Sequence, residues 1–193
     1  IKDWDRNGPI LEQLEIGCLG LVITTHPETQ KVLVVLSKKT EPGSLVDPEY
    51  TTTIQATRSN IEGAHGGQNV PHFDFFLNRT ELLHCSIQLE QTDAYTQKAN
   101  ANIIKYAKYN TIPDCDSLIM VTLDELADLA LTHTLNVSMD TRSVGSLLFS
   151  KLFFTKEPFK CTKRDQEAYW LFRKAIKITD LKNYKYEGNI ACN

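Results

Sequence analysis

The chain has 193 residues, of which 41% are hydrophobic and 23% are charged. This balance excludes disordered and collagen-like proteins, and the length suits one ordinary domain. The formal net charge of -3 lacks the basic excess that nucleic acid or an anionic membrane surface attracts, so neither partner is expected.

The cysteines and the apolar runs indicate the cellular compartment of the protein. Five widely spaced cysteines without a C-x-x-C pair favour reduced thiols over a disulfide scaffold or a zinc site. Reduced thiols predict an intracellular, cytoplasmic protein. No apolar run reaches the roughly 18 to 20 residues of a membrane span, so no membrane partner is expected. The oligomeric state is left open.

The first half of the chain is dominated by patterns typical of strands. Residues 16–25 and 31–37 are rich in branched side chains and flank a turn at His26-Pro27, which predicts a hairpin. A threonine-rich edge strand and two further strands are expected next, and the last of them alternates apolar and polar residues strictly. These three strands are predicted at residues 50–57, 71–77 and 81–90.

The second half mixes both periodicities. Helical spacing predicts a first helix over residues 93–109 and a closing amphipathic helix over about 163–178. Between them we expect three strands and one short acidic turn or helical segment. The strands are predicted at 117–123, 130–137 and 143–155, and the short segment at 124–128.

About eight strands against two or three helices favour a mostly β fold with flanking helices. The lack of βαβ alternation indicates an antiparallel core, which could be a sandwich, a jelly roll or a barrel. No linker divides the chain, so residues 1–193 are expected to form one domain. Its β core would span about 16–155.

Two histidines, an aspartate and an arginine form a spaced pattern that points to metal chemistry. If residues 71–77 are a strand, His72 and Asp74 lie on one side of it and can share a metal ion. His133 would supply a third ligand, and two histidines with one carboxylate suit non-haem Fe(II). Arg142, nine residues later, can pair with a carboxylate through two parallel hydrogen bonds.

These residues resemble the H-x-D…H…R pattern of the Fe(II)- and 2-oxoglutarate-dependent dioxygenases, with spacing similar to prolyl-hydroxylase-type members. The resemblance implies a double-stranded β-helix, which is a form of jelly roll. It also implies Fe(II) held by His72, Asp74 and His133, and 2-oxoglutarate anchored by Arg142. The implied reaction is hydroxylation of an amino acid, a peptidyl residue or a small metabolite.

Two alternatives are left open by the sequence. His84-Cys85-Ser86 matches one half of the paired H-x-S/T signature of 2H phosphoesterases, in which two histidines act as acid and base. The second half of that signature is incomplete, since His133 is followed by Thr134-Leu135. A β-sandwich that binds partners without catalysis is the other alternative.

Overall fold

A mixed sheet of seven strands forms the centre of the chain in the computed structural model, which describes residues 11–12, 16–40, 47–63, 70–89, 95–96, 98–132 and 136–176. Five strands follow the order β4-β3-β2-β8-β6, while β5 pairs with β2 and β9 pairs with β3. A separate parallel ladder joins two short strands, β1 and β7. The strands are β1 Leu11–Glu12, β2 Ile16–Thr25, β3 Val32–Lys39, β4 Glu49–Thr51, β5 Ile54–Ala56, β6 Glu81–Leu89, β7 Tyr95–Thr96, β8 Ala99–Tyr106 and β9 Leu118–Thr122.

Helices cover both faces of this sheet. One face packs against α2 and α5, whose buried side chains include Phe76 and Phe172. The other face packs against α3 and α4 through Leu126, Val144 and Leu148. No helix in the described part of the chain is long and apolar enough to span a bilayer. The helices are α1 Arg58–Ile61, α2 Phe73–Asn78, α3 Leu123–Thr132, α4 Met139–Phe154 and α5 Lys163–Ala175, with a 3-10 turn at Tyr109–Thr111.

The central strands β2 and β8 explain this layered arrangement. They run parallel, from Ile16 opposite Ala99 to Ile23 opposite Tyr106. Parallel strands are usually buried on both faces, and β2 is buried over eight consecutive residues. Both faces of the sheet therefore need apolar cover, which the four longer helices supply.

Several predicted strands are confirmed. The hairpin of residues 16–25 and 31–37 corresponds to β2 and β3, which pair antiparallel. The alternating run at 81–90 is β6, and the run at 117–123 is β9. The closing helix is confirmed as α5, while the threonine-rich segment forms two short strands, β4 and β5.

Other predicted elements are wrong. The expected helix at 93–109 contains the buried strand β8, because small and branched residues that face apolar layers on both sides fit a central strand. The expected strands at 71–77 and 143–155 are the helices α2 and α4. The segment at 130–137 begins as the end of α3, and its residues 133–135 lie outside the described residues.

A mostly β fold with helices matches the observed sheet, but the double-stranded β-helix is not confirmed. A jelly roll places two sheets face to face, whereas here helices lie on both faces of the main sheet. The physical reason is that runs predicted as strands, above all α4, bury only one stripe of side chains. The expectation of one domain over residues 1–193 stays a prediction.

The short helix α2 is held against the sheet by a close approach at Gly20. Phe76 of α2 is fully buried, and its ring lies directly over Gly20 of β2. A side chain at Gly20 would overlap that ring, so glycine leaves the space that the ring fills. This contact fixes how closely α2 approaches the sheet. It thereby also fixes the position of His72 at the start of the helix.

Candidate functional site

His72 and Asp74, the first two predicted ligands, do not share a face. His72 precedes α2 as its N-cap, and Asp74 lies within the helix. His72 has a left-handed backbone just outside the helix, so the alternation of a strand, which would align positions two apart, does not apply to this pair. The Asp74 carboxylate is exposed and accepts a hydrogen bond from Asn78 Nδ2 at 2.7 Å. The geometric argument for a shared metal ion is therefore wrong.

The other two predicted residues are not brought to His72 either. Arg142 is an exposed residue of α4, which packs on the face of the sheet opposite to α2. His133 lies outside the described residues. Among the residues that the structure describes, no group of three or more His, Cys, Asp or Glu side chains could hold a metal ion.

His72 has a different set of neighbours, which we call the His72 cluster: His72, Cys115 and Ser117. The Nε2 atom of His72 lies 2.9 Å from Ser117 Oγ and 3.8 Å from Cys115 Sγ. Cys115 Sγ and Ser117 Oγ are 3.3 Å apart. The loop before β9 supplies both of these residues. A nitrogen base, a hydroxyl and a thiol thus meet at one partly exposed point.

The electrostatics and the backbone of His72 both suit a functional residue. Burial lowers the pKa of the imidazole below its usual value, so the ring is neutral at neutral pH. Its backbone has a φ of 58°, in the left-handed region that few residues other than glycine adopt. Such conformations are often found at functional sites, where surrounding contacts maintain them.

A second polar group lies deeper, between the sheet and the helices α2 and α5. Lys105 of β8 is 1% exposed, and its Nζ donates to the Phe76 carbonyl at 2.7 Å and to Tyr169 Oη at 3.1 Å. Burial, followed by the charge of the nearby Arg173, lowers the pKa of Lys105 to about 7. A charged residue within the apolar run Ile103-Ile104-Lys105 is a signal that the sequence interpretation missed.

A third polar group fixes α5 to the edge strand β6. Asp165 accepts hydrogen bonds from His84 Nδ1 at 2.8 Å and from the Cys85 amide at 3.3 Å. Its other oxygen accepts from the amide and the hydroxyl of Thr162, which completes a capping box at the start of α5. The Nε2 atom of His84 is buried and has no hydrogen-bond partner among the described residues.

We expect Asp165 to make folding stability fall in acid. Burial by itself raises the pKa of this carboxyl, but hydrogen bonds from His84 and Thr162 outweigh burial and hold the pKa well below its usual range. The folded-state pKa therefore lies below the unfolded value near 3.9, so the stabilisation is complete at neutral pH and is lost as pH falls below about 4. Asp165→Asn should lower the unfolding free energy at pH 7 by roughly 1.5–3 kcal/mol.

Urea unfolding at pH 7 and at pH 3 measures this effect. The exposed loop residue Asp114 provides the control, since Asp114→Asn should leave both unfolding curves almost unchanged. Equal destabilisation by Asp165→Asn at both pH values would contradict the pH dependence.

Two pockets in the described part of the chain lie away from the His72 cluster. The larger pocket, about 530 Å³, is lined by Tyr50, Ile119, Val121, Leu129 and three carboxylates, Asp124, Glu125 and Asp128. A pocket with three carboxylates repels anionic ligands such as phosphates. A smaller pocket of about 260 Å³ lies where α4 begins.

Comparisons with known proteins identify the family. The model of the NDP-hexose 2,3-dehydratase family matches residues 1–148. A dTDP-4-dehydro-6-deoxy-alpha-D-glucopyranose 2,3-dehydratase of Saccharopolyspora spinosa is 34% identical over 163 residues, covering 79% of this chain and 32% of the relative. The enzyme of the same name from Amycolatopsis orientalis is 31% identical over 149 residues, covering 76% and 30%. The chain thus spans about a third of the length of these curated relatives.

A solved structure gives a much weaker likeness. The C-terminal domain of mouse MUTYH, in complex with human PCNA, matches with a TM-score of 0.40 and 14% identity, covering 72% of this chain and 89% of that one.

The relatives overturn the predicted function. They are named as dehydratases of a nucleotide sugar, so the assignment to Fe(II)- and 2-oxoglutarate-dependent dioxygenases is wrong. This correction also removes the hydroxylase activity and the cofactors Fe(II) and 2-oxoglutarate. Without 2-oxoglutarate, Arg142 has no such co-substrate to anchor. Neither the phosphoesterase nor the non-catalytic sandwich is supported better. A family model that covers most of the chain and three agreeing relatives show that this chain belongs to the NDP-hexose 2,3-dehydratase family.

Proposed function

We propose that this chain takes part in the 2,3-dehydration of a nucleotide-linked 4-keto hexose. Supporting this proposal is the agreement of the family model with the three relatives, all named as 2,3-dehydratases of a dTDP-linked 4-dehydro-6-deoxy sugar. The substrate would be a small molecule. Four of the five cysteines are described, and all four are free thiols, which supports an intracellular setting.

The chemistry of such a sugar defines what the protein must supply. A carbonyl at C4 makes the hydrogen on C3 acidic, because the negative charge left by its removal spreads onto the carbonyl oxygen. The electron pair of that enolate then forms the C2–C3 double bond, and the C2–O bond breaks. The leaving hydroxide takes up a proton and departs as water. No oxidant is consumed, so the protein needs a base, a hydrogen-bond donor and a proton source.

His72 is the residue that we propose as the base. Its ring is neutral at neutral pH because burial lowers its pKa, and the side chain is only partly buried, so a substrate can reach it. The complete His72 cluster lies within residues 1–148, which the family model matches. The His84–Asp165 pair is a weaker candidate, since Asp165 lies outside that match and the outer nitrogen of His84 is buried.

Ser117 would set which ring nitrogen carries the lone pair. Among the described residues, the hydrogen-bond partners of the His72 ring are all at Nε2. In the arrangement we propose, Nε2–H donates to Ser117 Oγ, which leaves the lone pair on Nδ1 to take the C3 proton. Ser117→Ala should therefore lower kcat about tenfold and leave KM nearly unchanged, as measured by steady-state kinetics.

The test of the proposed function is a dehydration assay in D₂O. Full-length protein is incubated with dTDP-4-keto-6-deoxyglucose, and the sugar is followed by mass spectrometry and NMR. We expect loss of one water, deuterium at C3 of recovered substrate that was deprotonated and then reprotonated before elimination, and the same rate with and without oxygen. An unchanged substrate, with neither loss of water nor deuterium exchange, would contradict the proposal.

A further inference from the structure

Lys105 binds the end of α2 that is opposite to His72. Besides the Phe76 carbonyl at 2.7 Å, its Nζ reaches the Leu77 carbonyl at 3.4 Å, and it lies over the Phe76 ring, 5.0 Å from the centroid. Carbonyls at the end of a helix have no partner within the helix and are stabilised by a cation or another donor. Lys105 thus completes the C-terminus of a helix that has only six residues.

One residue, Phe76, connects this contact to His72. The Phe76 amide donates to the His72 carbonyl at 2.9 Å, and the Phe76 carbonyl accepts from Lys105. Thr80 Oγ1 also donates to the Phe76 carbonyl, at 2.6 Å. The His72 backbone, in its left-handed conformation, is therefore one helical turn from an atom that a buried ammonium holds in place.

From this geometry we propose that Lys105 is a positioning residue for His72: through the backbone of Phe76, it holds α2 where the imidazole meets Cys115 and Ser117. This inference rests on the proposed function, because it assigns Lys105 to the same reaction. Lys105 itself lies between the sheet and two helices, too deeply buried to contact the substrate.

The cost of burying a lysine supports a specific role. An apolar side chain of similar length would fill this space without desolvating a charge, so packing by itself does not require lysine. The contacts also persist when the amine loses its proton, because a neutral amine keeps two N–H donors. The other titratable groups that face Lys105 are Arg173, Cys18 and Cys85, together with Tyr169, whose hydroxyl lies 3.1 Å from Nζ. The positioning effect should therefore be present on both sides of neutral pH.

The test compares Lys105→Met with Lys105→Gln in the full-length protein. Methionine keeps the volume and removes the donors, whereas glutamine restores two N–H donors without charge. For Lys105→Met we expect a loss of about ten- to a hundredfold in kcat with KM within about twofold, since a displacement near 1 Å can cost this much. Lys105→Gln should recover part of the loss. Exposed Lys108 supplies the control, because Lys108→Met removes a lysine just after β8 without touching α2.

Two readouts of the His72 cluster do not depend on turnover. NMR titration of the His72 ring should show its pKa moving back towards the usual value in Lys105→Met, because a displaced ring is more hydrated. Alkylation of Cys115 by iodoacetamide should change rate in the same variant, since its thiol lies 3.8 Å from His72 Nε2.

These readouts separate the two proposals. If wild-type protein performs no dehydration but Lys105→Met still shifts the His72 titration, the proposed function fails and the positioning role stands. If Lys105→Met leaves kcat, the titration and the alkylation rate unchanged, the positioning role is overturned. Unfolding of both Lys105 variants would also overturn it, because Lys105 would then support the whole core and not His72 in particular.

Discussion

His72→Asn should lower kcat for the proposed dehydration by about 10²- to 10⁴-fold, the usual contribution of a general base. Asparagine removes the imidazole but tolerates the left-handed backbone, whose φ is 58° at this position. The loss should fall on kcat, with KM nearly unchanged, because the base acts in the transition state. In wild type, the acid limb of the pH–rate profile should lie below the usual pKa of histidine, since burial lowers the pKa of His72.

The control for this variant is His26→Asn. His26 Nδ1 accepts hydrogen bonds from the amides of Glu28 and Thr29 in the turn after β2, and an asparagine oxygen can accept the same bonds. Activity should therefore stay near the wild-type value. Full activity in a folded His72→Asn protein would show that another residue takes the proton, and the His84–Asp165 pair would then be the remaining candidate.

Phe76→Ala should produce the largest loss of stability, roughly 3–5 kcal/mol. Phe76 is fully buried between α2 and the sheet, and its ring fills the space left by Gly20. Removing the ring leaves a cavity and also loosens the helix that carries His72. Urea unfolding measures the change, and the midpoint should fall without a large change in slope.

Two further variants sharpen this result. Phe154→Ala removes a phenylalanine that is 86% exposed, so its effect should stay within about 0.5 kcal/mol. Gly20→Ala should be destabilising in wild type, where the methyl group meets the Phe76 ring, and less so in Phe76→Ala, where the methyl group enters the cavity. Equal effects of Gly20→Ala in both backgrounds would show that Gly20 and Phe76 are not coupled.

The secondary structure of residues 71–77 explains why the candidate site was only partly predictable. The sequence pattern predicts His72 as a site residue, but for a metal site that requires residues 71–77 to be a strand. That segment is the helix α2, because Phe75, Phe76 and Leu77 bury one compact apolar patch under the sheet. The change of period from two to 3.6 separates His72 from Asp74 and brings His72 to Cys115 and Ser117.

Some features were determined by the sequence alone, because they depend on neighbours along the chain. The hairpin of β2 and β3, the alternation in β6 and the amphipathic closing helix α5 all follow from local composition and periodicity. Other features were decided by the tertiary structure. The run at 99–106 could form a helix or a strand by its own preference, and burial beside β2 selects the strand. The partners of His72, Lys105 and Asp165 are distant in sequence, and only the packing of helices on the sheet brings them into contact.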